Sequence, residues 1–286
     1  MKKIKYSVDF CAVGGGLAGL CAAVSAARNG VKTVLMHDRS VLGGNASSEI
    51  RMWVCGAHGK DNRETGIIEE LMLENFYQNP AHKYAIWDSV LYEKAMCEPN
   101  LKLLLDCSCL DAKMNNNIIE SVTGWQSNSQ TFHEVSAKYF ADCSGDSILA
   151  PLTGAEYMYG RESRNEYNES IAPETADKKT MGMSCLFQIR ETDHKTEFTP
   201  PSWAYTYKSD DEMPETVHHL NDNYWWIEYG GTKDCIHDVN ECREELLKIS
   251  YGVWDHIKNR GEHGADNWEL EWIGFLPGKR ESRRYK

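Results

Sequence analysis

The chain has 286 residues, with 43 acidic against 31 basic side chains and a formal net charge of −12. Nucleic-acid affinity comes largely from lysine and arginine neutralising phosphates, so this balance excludes a nucleic acid as the expected partner. The length allows about two domains with a sizeable core, and no apolar run approaches the ~18 residues that a bilayer span requires, so no membrane partner is expected either.

Lys2, Lys3 and Lys5 ahead of a fairly apolar stretch imitate an export signal. Asp9 and a run of glycines interrupt that stretch, so a strand is the stronger reading, with the cytoplasm as the expected location and export as the weaker alternative. The apolar run Ser7 to Val13 meets Gly14-Gly15-Gly16-Leu17-Ala18-Gly19, then an alanine-rich amphipathic stretch to Asn29, then a second apolar run from Thr33 to Met36 that ends in His37-Asp38-Arg39. Strand, glycine turn, helix and strand in this order form the unit that binds a dinucleotide pyrophosphate. Gly14 turns the chain off the strand, Gly16 lets the backbone approach the diphosphate, and Gly19 lets the helix pack on the strand. The N–H groups and positive dipole end of the helix face the phosphates. A ribose-binding acid is expected ~20 residues beyond the last glycine. Asp38 is the better chemical candidate, His37 falls where the acid often stands, and Arg39 is placed to reach a phosphate.

Val41 to Glu49 is a small-residue loop able to lie flat against a ligand. Gly66 to Phe76 reads as a helix with Ile67, Ile68, Leu71, Met72 and Phe76 near one face, and Asp88-Ser89 as the cap of a second helix through Cys97. From Leu101 the period changes. Leu101 to Asp106, Cys109 to Met114, Ile118 to Gln126 and Thr131 to Val135 read as short strands of a β-meander, with Asn115-Asn116-Asn117 as a turn. Lys138 to Cys143 is one more strand, ending in Ser144-Gly145-Asp146, and the carboxyl end of such a strand is where open α/β sheets hold ligands.

The polar stretch between Gly160 and Thr180 reads as a domain boundary or a long surface connection, and divides an expected dinucleotide-binding domain, residues 1–160, from a second domain, residues 161–286. There, Met181 to Arg190 reads as a strand. Asp238 with Glu241 has the pattern of a capping box, opening a helix whose stripe is Val239, Cys242, Leu246, Ile249, Val253 and Ile257, stopped by Gly261. Six tryptophans, Trp203, Trp225, Trp226, Trp254, Trp268 and Trp272, fall in the last third; buried packing is the default for them and a substrate platform the alternative. Ten cysteines would suit a disulfide scaffold, but Cys11, Cys21 and Cys143 fall inside predicted elements, as small buried hydrophobes of a reduced compartment do. Cys107 and Cys109 form a C-x-C and no C-x-x-C occurs, which argues against a redox dithiol, an iron–sulfur cluster or a zinc knuckle, so no metal is expected.

Val41 to Trp53 (VLGGNASSEIRMW), Arg63-Glu64-Thr65-Gly66, Ala141 to Asp146 and Lys279 to Arg284 occur in the order found in FAD-dependent oxidoreductases with a glutathione-reductase-like FAD domain, and the chain resembles the bacterial branch carrying these strings. The resemblance implies an α/β fold: a Rossmann-like FAD-binding domain with parallel sheet, helices and β-meander, plus an incomplete α+β substrate domain. It implies FAD as cofactor, with the diphosphate at Gly14, Gly16 and Gly19, the ribose at His37, Asp38 and Arg39, and further contacts from Gly43, Gly44 and Asn45 and from Gly145 and Asp146. Arg280 and Arg283 would approach the flavin face from the substrate domain. His37 stands where the family usually has glutamate, and the family continues beyond the Arg-Glu-Ser-Arg-Arg string, so the chain reads as an N-terminal portion of a longer protein. The expected function is transfer of a hydride or two electrons between flavin and a small organic substrate, a sugar being the first to test. Arg280, Arg283 and His58, in Cys55-Gly56-Ala57-His58-Gly59, are the catalytic candidates. A non-catalytic nucleotide-binding fragment and an NAD-dependent dehydrogenase are the alternatives; oligomeric state is not legible.

Overall fold

The computed structural model describes residues 1–57, 59–214, 219–220, 224–260 and 263–286. They form two compact units, the first made of Met1–Ser48, Trp53–Met158 and Arg283–Lys286, the second of Glu49–Met52 and Tyr159–Ser282.

The first unit contains strands β1 (Lys2–Ser7) and β2 (Phe10–Val13), helix α1 (Leu17–Arg28), β3 (Thr33–Met36), helices α2 (Gly66–Gln78) and α3 (Tyr84–Met96), then β4 (Leu101–Leu104), β5 (Cys107–Asn115), β6 (Ile118–Gln126), β7 (Thr131–Ser136), β8 (Tyr139–Asp142), the short α4 (Leu149–Thr153) and β9 (Tyr157–Met158). A parallel sheet runs in the order β4-β3-β2-β8. Side chains alternate across it, as the two-residue period of a strand requires. Ala12 and Leu35 pack with Leu20, Ala23 and Val24 of α1 and Val90 and Leu91 of α3, while Cys11, Val13, Val34 and Met36 pack with Cys107, Val122 and Val135 of a second sheet. Burial on both faces is why β2 and β3 read as unbroken apolar runs.

The second sheet has the order β1-β7-β6-β5 and corrects the expected meander at one end. Leu101–Leu104 pairs in parallel with β3 instead of joining the meander, because Leu101 and Leu103 contribute to one core and Leu104 to the other. The fourth strand of this sheet is instead β1, at the edge opposite β5 and parallel to β7, where Lys3 and Lys5 reach Glu134 at 2.5 and 3.5 Å. The β5–β6 turn has Asn116 at φ +51°, a left-handed position that asparagine tolerates. Two helix readings are also corrected. On α2 Leu71 is buried and Ile67 and Ile68 pack in the same core as expected, but Met72 and Phe76 are 39% and 77% exposed. Helix α3 begins at Tyr84, and Asp88 does not cap it but accepts the Ser48 N–H at 3.0 Å.

The second unit contains α5 (Arg164–Tyr167), β10 (Met183–Ser184), β11 (Phe187–Glu191), α6 (Val239–Asp255), which continues as a π-helical turn over His256–Arg260, β12 (Trp268–Ile273) and β13 (Gly278–Lys279). The strand expected over Met181 to Arg190 is thus divided, β10 pairing with β13 and β11 with β12. The stripe of α6 packs as expected: Cys242, Leu246, Val253 and Ile257 are buried in a core with Phe187, Tyr224 and Trp254, and Val239 and Ile249 pack against it. The capping box does not form, since the Asp238 carboxylate accepts from Asp234 N and Glu241 pairs with Lys233; the predicted stop, Gly261, lies outside the described residues. Trp254 is buried, Trp226 and Trp268 are partly so, and Trp203 and Trp225 are nearly half exposed. The chain ends in the first unit with β14 (Arg284–Tyr285), antiparallel to β9.

Candidate cofactor site

The glycine loop lies between β2 and α1, and its glycines answer different constraints. Gly14 has φ +106°, and a Cβ there would stand 2.2 Å from the Cys143 carbonyl oxygen. A Cβ on Gly19 would stand 1.8 Å from the Gly14 carbonyl oxygen, so the helix can approach the strand only without a side chain at this position. Gly16 is different. Its φ of −61° and ψ of 174° suit any residue, and a Cβ would meet nothing nearer than Gly44 Cα at 4.0 Å. No side chain caps α1 and its first turn holds no acid, so no carboxylate of that turn competes for the positive end of the helix.

His37 and Asp38, adjacent at the end of β3, have opposite environments. His37 is buried, its Nδ1 accepting the Gly15 N–H at 2.9 Å and its Nε2 lying 3.0 Å from the Val41 carbonyl oxygen. Accepting from Gly15 requires a lone pair on Nδ1, so Nε2 carries the proton and donates to Val41. The 3.2 Å approach of Asp38 Oδ1 to Nδ1 is then a contact without a shared proton, and the Asp38 side chain is 62% exposed.

The Gly43-Gly44-Asn45 loop lies against the glycine loop. Gly43 N donates to Gly15 O at 2.9 Å, and a Cβ on Gly44 would stand 3.2 Å from Gly16 Cα and 3.8 Å from the Arg39 guanidinium. Gly43 and Gly44 have φ of +108° and +61°, conformations glycine adopts at little cost, and Asn45 is exposed. Helix α3 holds this loop: the buried Trp87 indole donates to Ala46 O at 2.8 Å, and Asp88 holds Ser48. No local sequence pattern marks Trp87 for this contact, and Asp88 reads locally as a helix cap.

At the end of β8 the Asp142 carboxylate accepts from Ser144 N, Leu149 N and the Tyr285 hydroxyl. This fixes the turn carrying Gly145 and Asp146, and Arg283 Nε donates to Asp146 O at 2.9 Å with its guanidinium 5.6 Å from the Tyr157 ring centre. The structure therefore brings the glycine loop together with His37, Arg39, Gly43 and Gly44, and Arg283 together with Asp146. Arg280 belongs to the second unit, paired with Glu228 at 2.8 Å and donating to Trp225 O and Ser184 Oγ. His58 lies outside the described residues.

The family model described as FAD dependent oxidoreductase matches residues 9–286. The chain belongs to that family. Its cofactor is FAD, and the open cradle at Gly16, beside an uncapped helix start, fits a diphosphate. None of the curated proteins compared with it matches the chain. Similar solved structures include an L-proline dehydrogenase from P. horikoshii, 17% identical over 57% of this chain and 26% of that one, with a TM-score of 0.33. A p-nitrophenol 4-monooxygenase from Pseudomonas putida DLL-E4 is 13% identical over 66% of this chain and 49% of that one, at a TM-score of 0.40. A geranylgeranyl bacteriochlorophyll reductase-like protein from Thermoplasma acidophilum is 14% identical over 70% and 52%, at 0.42. The chain spans from a quarter to about half of the length of these proteins. Likeness at this level says nothing about the reaction. No helix among the described residues is long and apolar enough to cross a membrane.

Proposed function

We propose that this flavoprotein moves a hydride or two electrons between a small organic substrate and FAD, with the first unit as the cofactor domain and the second as the substrate domain. When bound, the isoalloxazine supplies the redox chemistry, while the protein supplies orientation, charge and exclusion of water. The diphosphate is held by the backbone of Gly14 to Gly19 and the start of α1. Asp38 takes the adenosine ribose, because its carboxylate is exposed while both ring nitrogens of His37 are engaged. Arg39 stands beside Gly44 for a phosphate, Gly43, Gly44 and Asn45 line the path toward the flavin, and Gly145 and Asp146 approach from the neighbouring strand. Arg283 positions that last turn by holding the Asp146 carbonyl.

On the substrate side Arg280 is the candidate for an anionic or carbonyl group, its guanidinium oriented by Glu228, Ser184 and the Trp225 carbonyl, and His58 the candidate acid or base. Trp203 and Trp225 are nearly half exposed, and aromatic rings suit the C–H face of a sugar, which makes sugars the first substrate class to test. The observation carrying the reading is Gly16: neither backbone conformation nor protein packing asks for glycine there, and a close-lying diphosphate does. The purified protein should be yellow and release FAD on denaturation. A colourless protein that takes up no FAD, or binds NAD in its place, would overturn the proposal.

A further inference from the structure

We propose that Asp210, His256 and His263, all in the second unit, form a site for one divalent transition-metal ion, with zinc the best match. One ligand atom from each lies within 4.8 Å of the other two. His256 is 1% exposed, its Nδ1 is 2.9 Å from the Tyr207 carbonyl oxygen, and its Nε2 is 2.8 Å from Asp210 Oδ1. A carbonyl oxygen only accepts, so Nδ1 carries the proton and Nε2 is left either with a lone pair aimed at a carboxylate oxygen or with a second proton. His263 Nε2 converges on the same oxygen at 3.8 Å, and the two rings meet edge to face with centres 5.2 Å apart. Two imidazole nitrogens and a carboxylate oxygen that converge in this way can share one cation at their meeting point.

The distances and the surroundings agree with this assignment. Bonds of ~2.0 Å to imidazole nitrogen and carboxylate oxygen put tetrahedral ligand atoms about 3.3 Å apart, and the observed 2.8 and 3.8 Å lie on either side of that value. Two histidines and one carboxylate leave a fourth position for water or another ligand. The bond from His256 Nδ1–H to a backbone carbonyl is the supporting contact that usually fixes the tautomer of a metal-bound histidine. His256 also opens the π-helical turn, a feature frequent at functional sites. That turn is braced by the buried Asp255, which accepts from Asn259 Nδ2 at 2.8 Å and Arg260 Nε at 2.6 Å. The ion would tie residue 210 and residue 263 to the end of α6. The cysteine spacings that argued against a metal do not bear on this histidine and carboxylate set.

The test uses the whole chain, stripped with a chelator and then given Zn²⁺ or Co²⁺. One zinc per chain should survive gel filtration and raise the melting temperature, and Co²⁺ should give the intense visible bands of a low-coordinate ion. His263→Gln and Asp210→Asn should weaken zinc binding by at least ~10-fold with far-UV circular dichroism and FAD content unchanged, which separates this result from the flavin assignment. A wild-type chain that retains no zinc, or variants that bind it equally well, would overturn the proposal and leave an Asp210–His256 ion pair closed by a proton. Should a variant fail to fold, the wild-type cobalt spectrum decides, and weak bands like those of aqueous Co²⁺ count against the site.

Discussion

Gly16 and Gly19 lie in one loop, yet alanine at the two positions should have opposite consequences. At Gly16 the backbone is ordinary and the nearest atom to a new Cβ is 4.0 Å away. Alanine there restricts the unfolded chain, contributing ~0.4–1 kcal/mol, and gives up the modest preference for glycine at an N-cap, costing up to ~1 kcal/mol. These offset one another, so the melting temperature of the FAD-free protein should move by no more than about 2 °C. At Gly19 the added carbon would stand 1.8 Å from a backbone oxygen and 3.0 Å from Cys143 Cβ, and backbone cannot swing aside as a flexible side chain can. Overpacking of this kind costs ~1–3 kcal/mol or more, which lowers the melting temperature by roughly 2–12 °C. FAD should be weakened more than ~10-fold in Gly16→Ala, or about 1.4 kcal/mol, because the methyl group occupies the diphosphate approach. Thermal melts without FAD and a flavin-fluorescence titration read both effects. Full FAD affinity in a folded Gly16→Ala protein, or equal destabilisation by the two alanines, would refute the reasoning.

His37→Ala should destabilise the fold by ~1–3 kcal/mol by leaving the buried Gly15 N–H unpaired. Asp38→Ala should leave stability within ~0.5 kcal/mol while weakening FAD by ~10- to 150-fold; thermal melts and titration distinguish the two. At Asp234, burial by itself would raise the carboxyl, but the His237 side chain and the N–H groups of His237 and Ile236 override it and hold it at about 2. A depressed carboxyl stabilises the fold fully above its unfolded value of ~3.9 and loses that contribution as pH falls through about 2. Asp234→Asn should therefore flatten the decline of the urea midpoint across that window. Burial pushes the Cys107, Cys109 and Cys185 thiols up to about 12, while Cys55 and Cys97 are exposed. A thiol reagent near neutral pH should label Cys55 and Cys97 first, and mass spectrometry of the native and denatured protein checks the order.

The parts of this protein that have a local cause follow from residue order alone. The turn from β2 into α1 needs glycine at fixed places, and the stripe from Val239 to Ile257 follows the helical period, so the nucleotide unit and α6 were legible in chain order. The family strings carried FAD with them. Tertiary packing decided what depends on distant neighbours. Leu101 to Leu104 reads as one more short strand until two cores claim its alternate faces and place it beside β3. Asp88 and Asp238 sit where caps are expected, but a loop N–H forty residues away and a turn four residues away claim their carboxylates. His37 and Asp38 are neighbours whose roles separate because one side chain points into the fold and the other out of it. Asp210, His256 and His263 form no motif along the chain: His256 directly follows α6 and His263 comes shortly after it, and no local period encodes their meeting with the distant Asp210.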